Sequence, residues 1–151
     1  MNKTFRGRLS NGDQERVRLS TNNGLQGYRI VKFGLINKNI GDVDYSGVVK
    51  VYTKEQDSVD NDVDFTDPTL VAAGYLTTDA TSTQFPEDLI IIFDSLVFNQ
   101  DIFVTCKQTG ASGTDDCNYY LELEQVKLSH DEAAVATLKD MRAGPDTNFG
   151  S

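Results

Sequence analysis

The sequence has little of what most enzyme sites and membrane spans require. Its 151 residues include no tryptophan, one histidine, two cysteines and three prolines. A single histidine, His130, with no G-x-S-x-G motif, argues against a hydrolytic triad. Two cysteines and one histidine fall short of a structural zinc site. No apolar run approaches the ~20 residues of a membrane-spanning helix, and the first residues lack the apolar core of a secretory signal. We therefore expect no enzyme, no cofactor, no membrane span and no export.

Charge is unevenly distributed along the chain. The net charge is −9, yet eight of the 14 Lys and Arg residues, and only two of the 23 acidic residues, lie in the first 38 residues. This asymmetry predicts a basic N-terminal segment that meets an acidic partner surface. Nucleic acid is one alternative, disfavoured because no aromatic cluster is interleaved with the cations. An ordinary solvated face is the other.

Eight segments have the composition of β-strands. They are rich in β-branched and aromatic residues and are separated by turns rich in Gly, Asn, Asp and Ser. The predicted strands are 3–9, 15–20, 28–37, 46–54, 69–77, 89–94, 101–107 and 118–128. This spacing predicts an all-β, eight-stranded antiparallel β-sandwich, jelly-roll-like, with a short C-terminal α-helix. We expect one domain over residues 1–143 and a tail over 144–151 that is flexible or docks on a partner.

The first two predicted strands form a candidate partner interface. The Asn11-Gly12 pair suits a two-residue turn, so we expect the two strands to form a hairpin. Alternation separates Val17 and Leu19 from the cations of the second strand. The expected basic face therefore consists of four arginines from both strands: Arg6, Arg8, Arg16 and Arg18.

Two strands show apolar residues on both faces or a change of face. In 28–37, Val31, Phe33 and Leu35 share one parity while Tyr28, Ile30 and Ile36 have the other. This pattern predicts a strand covered on both sides. In the last strand the apolar positions change parity at Gln125. We expect a β-bulge there, although partial cover on both faces would give the same pattern.

Two connecting segments allow specific predictions. The spacing of Ser129 and Glu132 is that of a capping box, which predicts a helix over about 130–142. The apolar segment 95–98 is either a buried link between the two sheets or an exposed interface.

The cysteines and the aspartates have alternative interpretations. Cys106 and Cys117 would stand opposite each other if their strands formed a hairpin, as a possible disulfide or as two free thiols beside the core. Asp60, Asp62 and Asp64 match the first ligand spacings of an EF-hand, but the turn glycine and the bidentate glutamate of that motif are missing. A calcium site there is the weaker alternative to a solvated acidic loop.

Three blocks of the chain resemble a known group of proteins. They are "NKTFRGRLSNGDQERVRLST" with "GYRIVKFGL", "DLIIIFDSLVFNQDIFVTC" and "CNYYLELEQVKLSHDEAAVATLKDMR". They resemble small, uncharacterised virion structural proteins of marine tailed phages, including cyanophage-like ones. The resemblance covers most of the chain apart from the Asp-rich middle and the tail. It carries over no active or binding residues.

The resemblance implies a structural role. A capsid decoration (cement) protein or accessory head protein would bind the major capsid protein or another head or tail protein, and it would stabilise the shell. It would be assembled in the host cytoplasm and reside in the virion as a homo-oligomer, either a trimer or another symmetric assembly. The alternatives are a receptor- or glycan-binding module of a tail or spike, and a host-interaction protein that is absent from virions.

Overall fold

Eight strands are present, as the sequence pattern predicts. The computed structural model describes residues 2–19, 25–39, 44–78, 87–109, 115–129, 132 and 134–135. The strands are β1 (Asn2–Leu9), β2 (Gln14–Val17), β3 (Gln26–Asn37), β4 (Tyr45–Tyr52), β5 (Leu70–Thr78), β6 (Glu87–Ile92), β7 (Ile102–Gln108) and β8 (Cys117–Lys127). All their pairings are antiparallel.

The strands form two sheets that enclose one apolar core. Sheet A has the order β1-β8-β3, and sheet B has the order β2-β7-β4-β5-β6. Both sheets turn apolar side chains toward this core, so the fold is an all-β, sandwich-like arrangement. Sheet A contributes Leu9, Tyr28, Ile30, Phe33, Leu35, Tyr119, Leu121 and Leu123, and sheet B contributes Val17, Val49, Val51, Ala72, Leu76, Ile102 and Val104.

Gly74 in β5 lies against the side chains of sheet A. A Cβ atom at Gly74 would lie 2.7 Å from the Leu35 side chain and 2.8 Å from the Ile90 side chain. The absence of a side chain therefore lets β3 pack directly on β5.

The predicted hairpin of the first two strands is wrong. β1 pairs with β8, and β2 pairs with β7, so the two strands belong to different sheets. The tight turn itself is present, because Gly12 has a positive φ of 87° and the Asp13 amide donates to the Ser10 carbonyl. The Gly12 amide, however, bonds to the carbonyl of Cys106 in β7. The turn is thus a corner that carries the chain from sheet A to sheet B.

A bulge exists, but in β3 and not in β8. The pairing of β8 with β3 is regular at Gln125, which lies opposite Tyr28. The register shifts instead between Ile30 and Lys32. One extra residue, Val31, changes the parity of β3, so Tyr28 and Ile30 face the core together with Phe33 and Leu35. The apolar residues that suggested two covered faces therefore lie on one face, and Ile36 is 55% exposed.

The apolar segment 95–98 links the two sheets and is fully buried only at Phe98, since Ser95 is exposed and the two residues between them are partly buried. Phe98 is buried, and its backbone exchanges two hydrogen bonds with Tyr28 of β3. Leu96 packs against the core. The chain thus leaves β6 of sheet B, touches sheet A at Phe98 and returns to sheet B as β7.

Most of the C-terminal prediction lies outside the described residues. Ser129 and Glu132 form both hydrogen bonds of a capping box, each 3.2 Å long. Glu132, Ala134 and Val135 have helical backbones. The remainder of the helix predicted over about 130–142, including His130, and the tail over 144–151 are not described.

Candidate partner interface

The four predicted interface arginines are all exposed, but they do not form one face. Arg6 and Arg8 lie on β1 and point outward from sheet A, whereas Arg16 lies on β2 and points outward from sheet B. Arg18 follows β2. The separation results from the corner at Gly12, because it places β1 and β2 in different sheets. The predicted single basic face is therefore split between opposite sides of the sandwich.

Each pair of arginines contains one ion-paired member. Arg16 bonds to Asp101 at 2.6 Å and lies over the ring of Phe103. Arg8 lies 3.4 Å from Asp116. Arg6 and Arg18 have no ion-pair partner among the described residues. What distinguishes Arg6 and Arg8 is therefore not free charge but the groove in which they lie together.

A shallow groove surrounds these two arginines. It has a volume of about 600 Å³ and is lined by Arg6, Gly7, Arg8, Ile36, Asn118 and Tyr119, which we call the arginine groove. In the sheet register, Arg8 and Ile36 flank Asn118, and Arg6 and Gly34 flank Tyr120. A Cβ atom at Gly34 would meet nothing within 4 Å, so the face is open at this row.

Below the groove, oppositely charged residues face each other across the strands. Arg29 pairs with Glu124 at 2.9 Å, and Lys32 stands opposite Glu122 with its ammonium over the Tyr120 ring. In these contacts the positive and negative charges offset each other. The uncompensated positive charge on the outer face of sheet A therefore lies at the arginine groove. The sequence pattern did not indicate the contributions of Ile36 and Asn118, because they depend on the pairing of β8 with both β1 and β3.

The Asp-rich loop, residues 53–69, holds a protein cation in place of the calcium considered above. Lys50 of β4 is 2% exposed at its side chain, and its ammonium donates to the Asp60 carboxylate at 2.7 Å and to the Asp62 carbonyl at 2.5 Å. Asp64 accepts hydrogen bonds from the backbone and hydroxyl of Thr66. No group of three or more metal-ligating side chains converges within the described part of the chain. Asp60, Asp62 and Asp64 are thus not gathered around a common point.

The Lys50 contact attaches this loop to the outer face of sheet B. Burial disfavours the ammonium, but hydrogen bonding to Asp60 and the proximity of Tyr52 outweigh it and raise the pKa of Lys50. Hydrogen bonding to Lys50 in turn lowers the pKa of Asp60. Gln14 of β2 adds two hydrogen bonds to the backbone of Gln56. The loop therefore covers part of sheet B, while no loop among the described residues covers the outer face of sheet A in this way.

The cysteines are two buried free thiols on different sheets. The predicted hairpin is wrong here too, because Cys106 pairs with Val49 and Cys117 pairs with Leu9 and Asn37. The Tyr45 hydroxyl lies 3.4 Å from the Cys106 sulfur. Burial raises the pKa of Cys106, and it raises that of Cys117 to about 12. Both thiols are consequently neutral at physiological pH and part of the core.

The sheets are also joined by a polar contact beside the arginine groove. The Tyr119 hydroxyl donates to the Glu15 carboxylate, which links sheet A to sheet B. Burial, and then this hydrogen bond, raise the pKa of Tyr119. The contact helps to fix the edge on which Arg6 and Arg8 lie.

The structure defines the class of the protein as an all-β, sandwich-like protein with an exposed cationic groove. Comparison with protein-family models, with curated proteins and with solved structures found no match. No helix within the described ranges has the length and apolar composition needed to cross a membrane.

Proposed function

We propose that this protein is a non-enzymatic binding protein that attaches to an acidic protein surface through the arginine groove. The observation that carries the proposal is the pair of exposed cations, Arg6 and Arg8, beside the exposed apolar side chain of Ile36. Cations set next to an apolar contact suit a protein partner, because charge steers the encounter and apolar burial holds the complex.

We further propose that the partner is the shell of a tailed-phage virion. The support is the resemblance of the three sequence blocks described above, which implies a decoration or accessory head protein. The thiols of Cys106 and Cys117 and the hydroxyl of Tyr45 are neutral, buried groups, which favours a structural role over a nucleophilic one. A symmetric homo-oligomer of such a protein would stabilise the assembled shell by binding it in preference to free subunits.

We also propose a jelly-roll connectivity ending in a C-terminal helix. The order β1-β8-β3 and the first four strands of the order β2-β7-β4-β5-β6 support this, because they correspond to the strand orders in the two sheets of a double Greek key, with β6 as an additional strand beside β5. Phe98 pairs with Tyr28 beside β3, where the remaining strand of such a sheet would lie. The capping box at Ser129 supports the helix. A cryo-EM map of the protein on its partner would test both.

The role in the virion is tested by mass spectrometry of purified particles. Detection of the chain at stoichiometric levels supports a virion protein, and immunogold label dispersed over the head supports decoration. Label confined to the tail would favour the receptor- or glycan-binding alternative. Absence from purified particles would overturn the proposal in favour of a host-interaction protein.

The docking face is tested by charge reversal. Arg6→Glu with Arg8→Glu should abolish incorporation into particles, whereas Arg16→Glu with Arg18→Glu, on the opposite side of the sandwich, should retain it. Both double variants change the net charge equally, so the comparison isolates position. If the two variants were incorporated to the same extent, the arginine groove would not be the docking face.

A further inference from the structure

Strand β6 forms a free edge of sheet B. Among the described residues it pairs with β5 alone. The Phe93 amide donates to the Val71 carbonyl at 3.0 Å, and hydrogen-bonded pairs alternate along an antiparallel ladder. The N–H and C=O groups of Asp88, Ile90 and Ile92 therefore point away from β5. They form a row of donors and acceptors that another strand could pair with.

The other three sheet edges carry features that discourage such pairing. β1 contains Lys3, Arg6 and Arg8, β2 has four residues, and β3 is bridged by Phe98. Charged side chains, short length and covering segments are the usual protection of edge strands. β6 has the sequence EDLIII, in which the two charged residues, Glu87 and Asp88, lie at its start and the last four residues are all apolar. It is the least protected of the four edges.

The surface beside this edge is apolar. Leu89 is 63% exposed and Ile91 is 36% exposed, and both lie on the outer face of sheet B. Tyr75, which stands opposite Leu89 on β5, is also exposed. On the inner face, Ile90 and Ile92 are only partly buried. A strand added at this edge would cover apolar side chains on both faces.

We propose that β6 pairs antiparallel with β6 of a second copy of this chain, with Ile90 opposite Ile90 in a two-fold symmetric dimer. This register places Leu89 opposite Ile91 and Asp88 opposite Ile92. It pairs every outward-pointing N–H and C=O group of Asp88, Ile90 and Ile92, and it keeps the Asp88 carboxylates of the two copies apart. Centring on Ile91 would put Asp88 opposite Asp94, which is unfavourable.

The symmetry follows from the strand itself. Antiparallel pairing of identical edges is satisfied by two copies, so this contact generates a dimer and a continuous ten-stranded sheet. A three-fold assembly would need a different surface. The dimer does not rest on the proposed function, since the arginine groove lies on sheet A.

Sedimentation equilibrium of the full chain tests the dimer. The wild type should sediment at twice its monomer mass, and Leu89→Lys with Ile91→Lys should sediment as a folded monomer. The control, Val63→Lys with Val135→Lys, alters two exposed apolar residues outside both β6 and the arginine groove and should remain dimeric. A monomeric wild type, or a dimeric Leu89→Lys/Ile91→Lys variant, would overturn the proposal.

Cysteine cross-linking tests the register. Leu89 and Ile91 would form non-hydrogen-bonded cross-strand pairs, in which the Cβ atoms are close enough for a disulfide. The double variant Leu89→Cys/Ile91→Cys should therefore form an interchain disulfide under mild oxidation, whereas either single variant and Val63→Cys should not. The native thiols are buried and do not interfere. A cross-link from Ile91→Cys alone would contradict the Ile90-centred register, and no cross-link from the double variant would contradict the pairing.

Discussion

At the scale of single residues, Lys50 shows how a buried charge connects a loop to a sheet. The lysine is buried, while its partner Asp60 is more than half exposed. Removing either residue breaks the same ion pair, but the consequences differ. A carboxylate left alone at the surface is solvated by water, whereas an ammonium left in a buried site is not.

This asymmetry leads to the first prediction. Asp60→Ala should destabilise the protein by about 1–3 kcal/mol, because Lys50 keeps a single carbonyl acceptor. Lys50→Met should cost under ~1 kcal/mol, because it removes the buried charge and retains an apolar side chain. Urea unfolding of both variants and of the double variant measures the effects. If Lys50→Met cost more than Asp60→Ala, the loss of loop attachment and not the stranded charge would dominate.

The same pair gives a pH dependence of stability. The pKa of Asp60 is lowered in the folded state, so its contribution is present above the ordinary carboxyl pKa of about 4 and is lost as pH falls through the folded value. The pKa of Lys50 is raised, so its contribution is present below about 10.4 and is lost as pH rises through the folded value.

We therefore expect the stability difference between the wild type and Asp60→Asn to be constant through neutral pH, to begin to fall near pH 4 and to disappear as pH falls through the lowered pKa of Asp60 in the folded state. Urea midpoints measured for both proteins in parallel isolate Asp60 from the other carboxylates. A difference that persisted undiminished in acid would mean that Asp60 acts through its shape and not through its charge.

At the scale of elements, the bulge in β3 lets apolar residues at both even and odd positions of this strand face the same core. Val31 is the extra residue, and it allows Tyr28 and Ile30 before it to face inward together with Phe33 and Leu35 after it. On the outer face it leaves Arg29 opposite Glu124 and Lys32 opposite Glu122. The bulge thus absorbs one residue, and the apolar and charged residues on either side of it stay opposite their partners on β8.

Deleting Val31 should consequently cost little, because it removes only the extra residue of β3. Without it, β3 pairs with β8 as a regular strand in which Tyr28, Ile30, Phe33 and Leu35 still face the core. Inserting a second residue after Val31 should instead turn two of these large side chains toward solvent, at a cost of about 3–6 kcal/mol. Circular dichroism with urea titration distinguishes the two variants. A deletion as destabilising as the insertion would mean that the bulge itself, and not the facing of the residues beside it, is required.

At the scale of the whole molecule, the sequence pattern predicted the strands but not their partners. Alternation is a local property, and it located all eight strands, while the pairing of Leu9 with Cys117 joins the first strand to the last. Asn11-Gly12 correctly indicated a tight turn, but the same turn serves a hairpin or a corner between sheets. Only part of the arginine groove was predicted for this reason: Arg6 and Arg8 were expected, whereas Ile36 and Asn118 are brought beside them by the pairing of β8 with β1 and β3.

This non-local pairing makes β1 part of the core and not a removable arm. Leu9 is buried, Phe5 packs against the core, and the Gly12 amide bonds to Cys106 of β7. Deleting residues 1–12 should therefore destabilise the protein by several kcal/mol, since burial of Leu9 alone contributes about 1.5–3 kcal/mol. Arg6→Glu with Arg8→Glu alters outward side chains of the same strand and should change the urea midpoint little. A truncated protein with the midpoint of the full chain would show that sheet A is stable without β1, and only then would truncation be a clean test of docking.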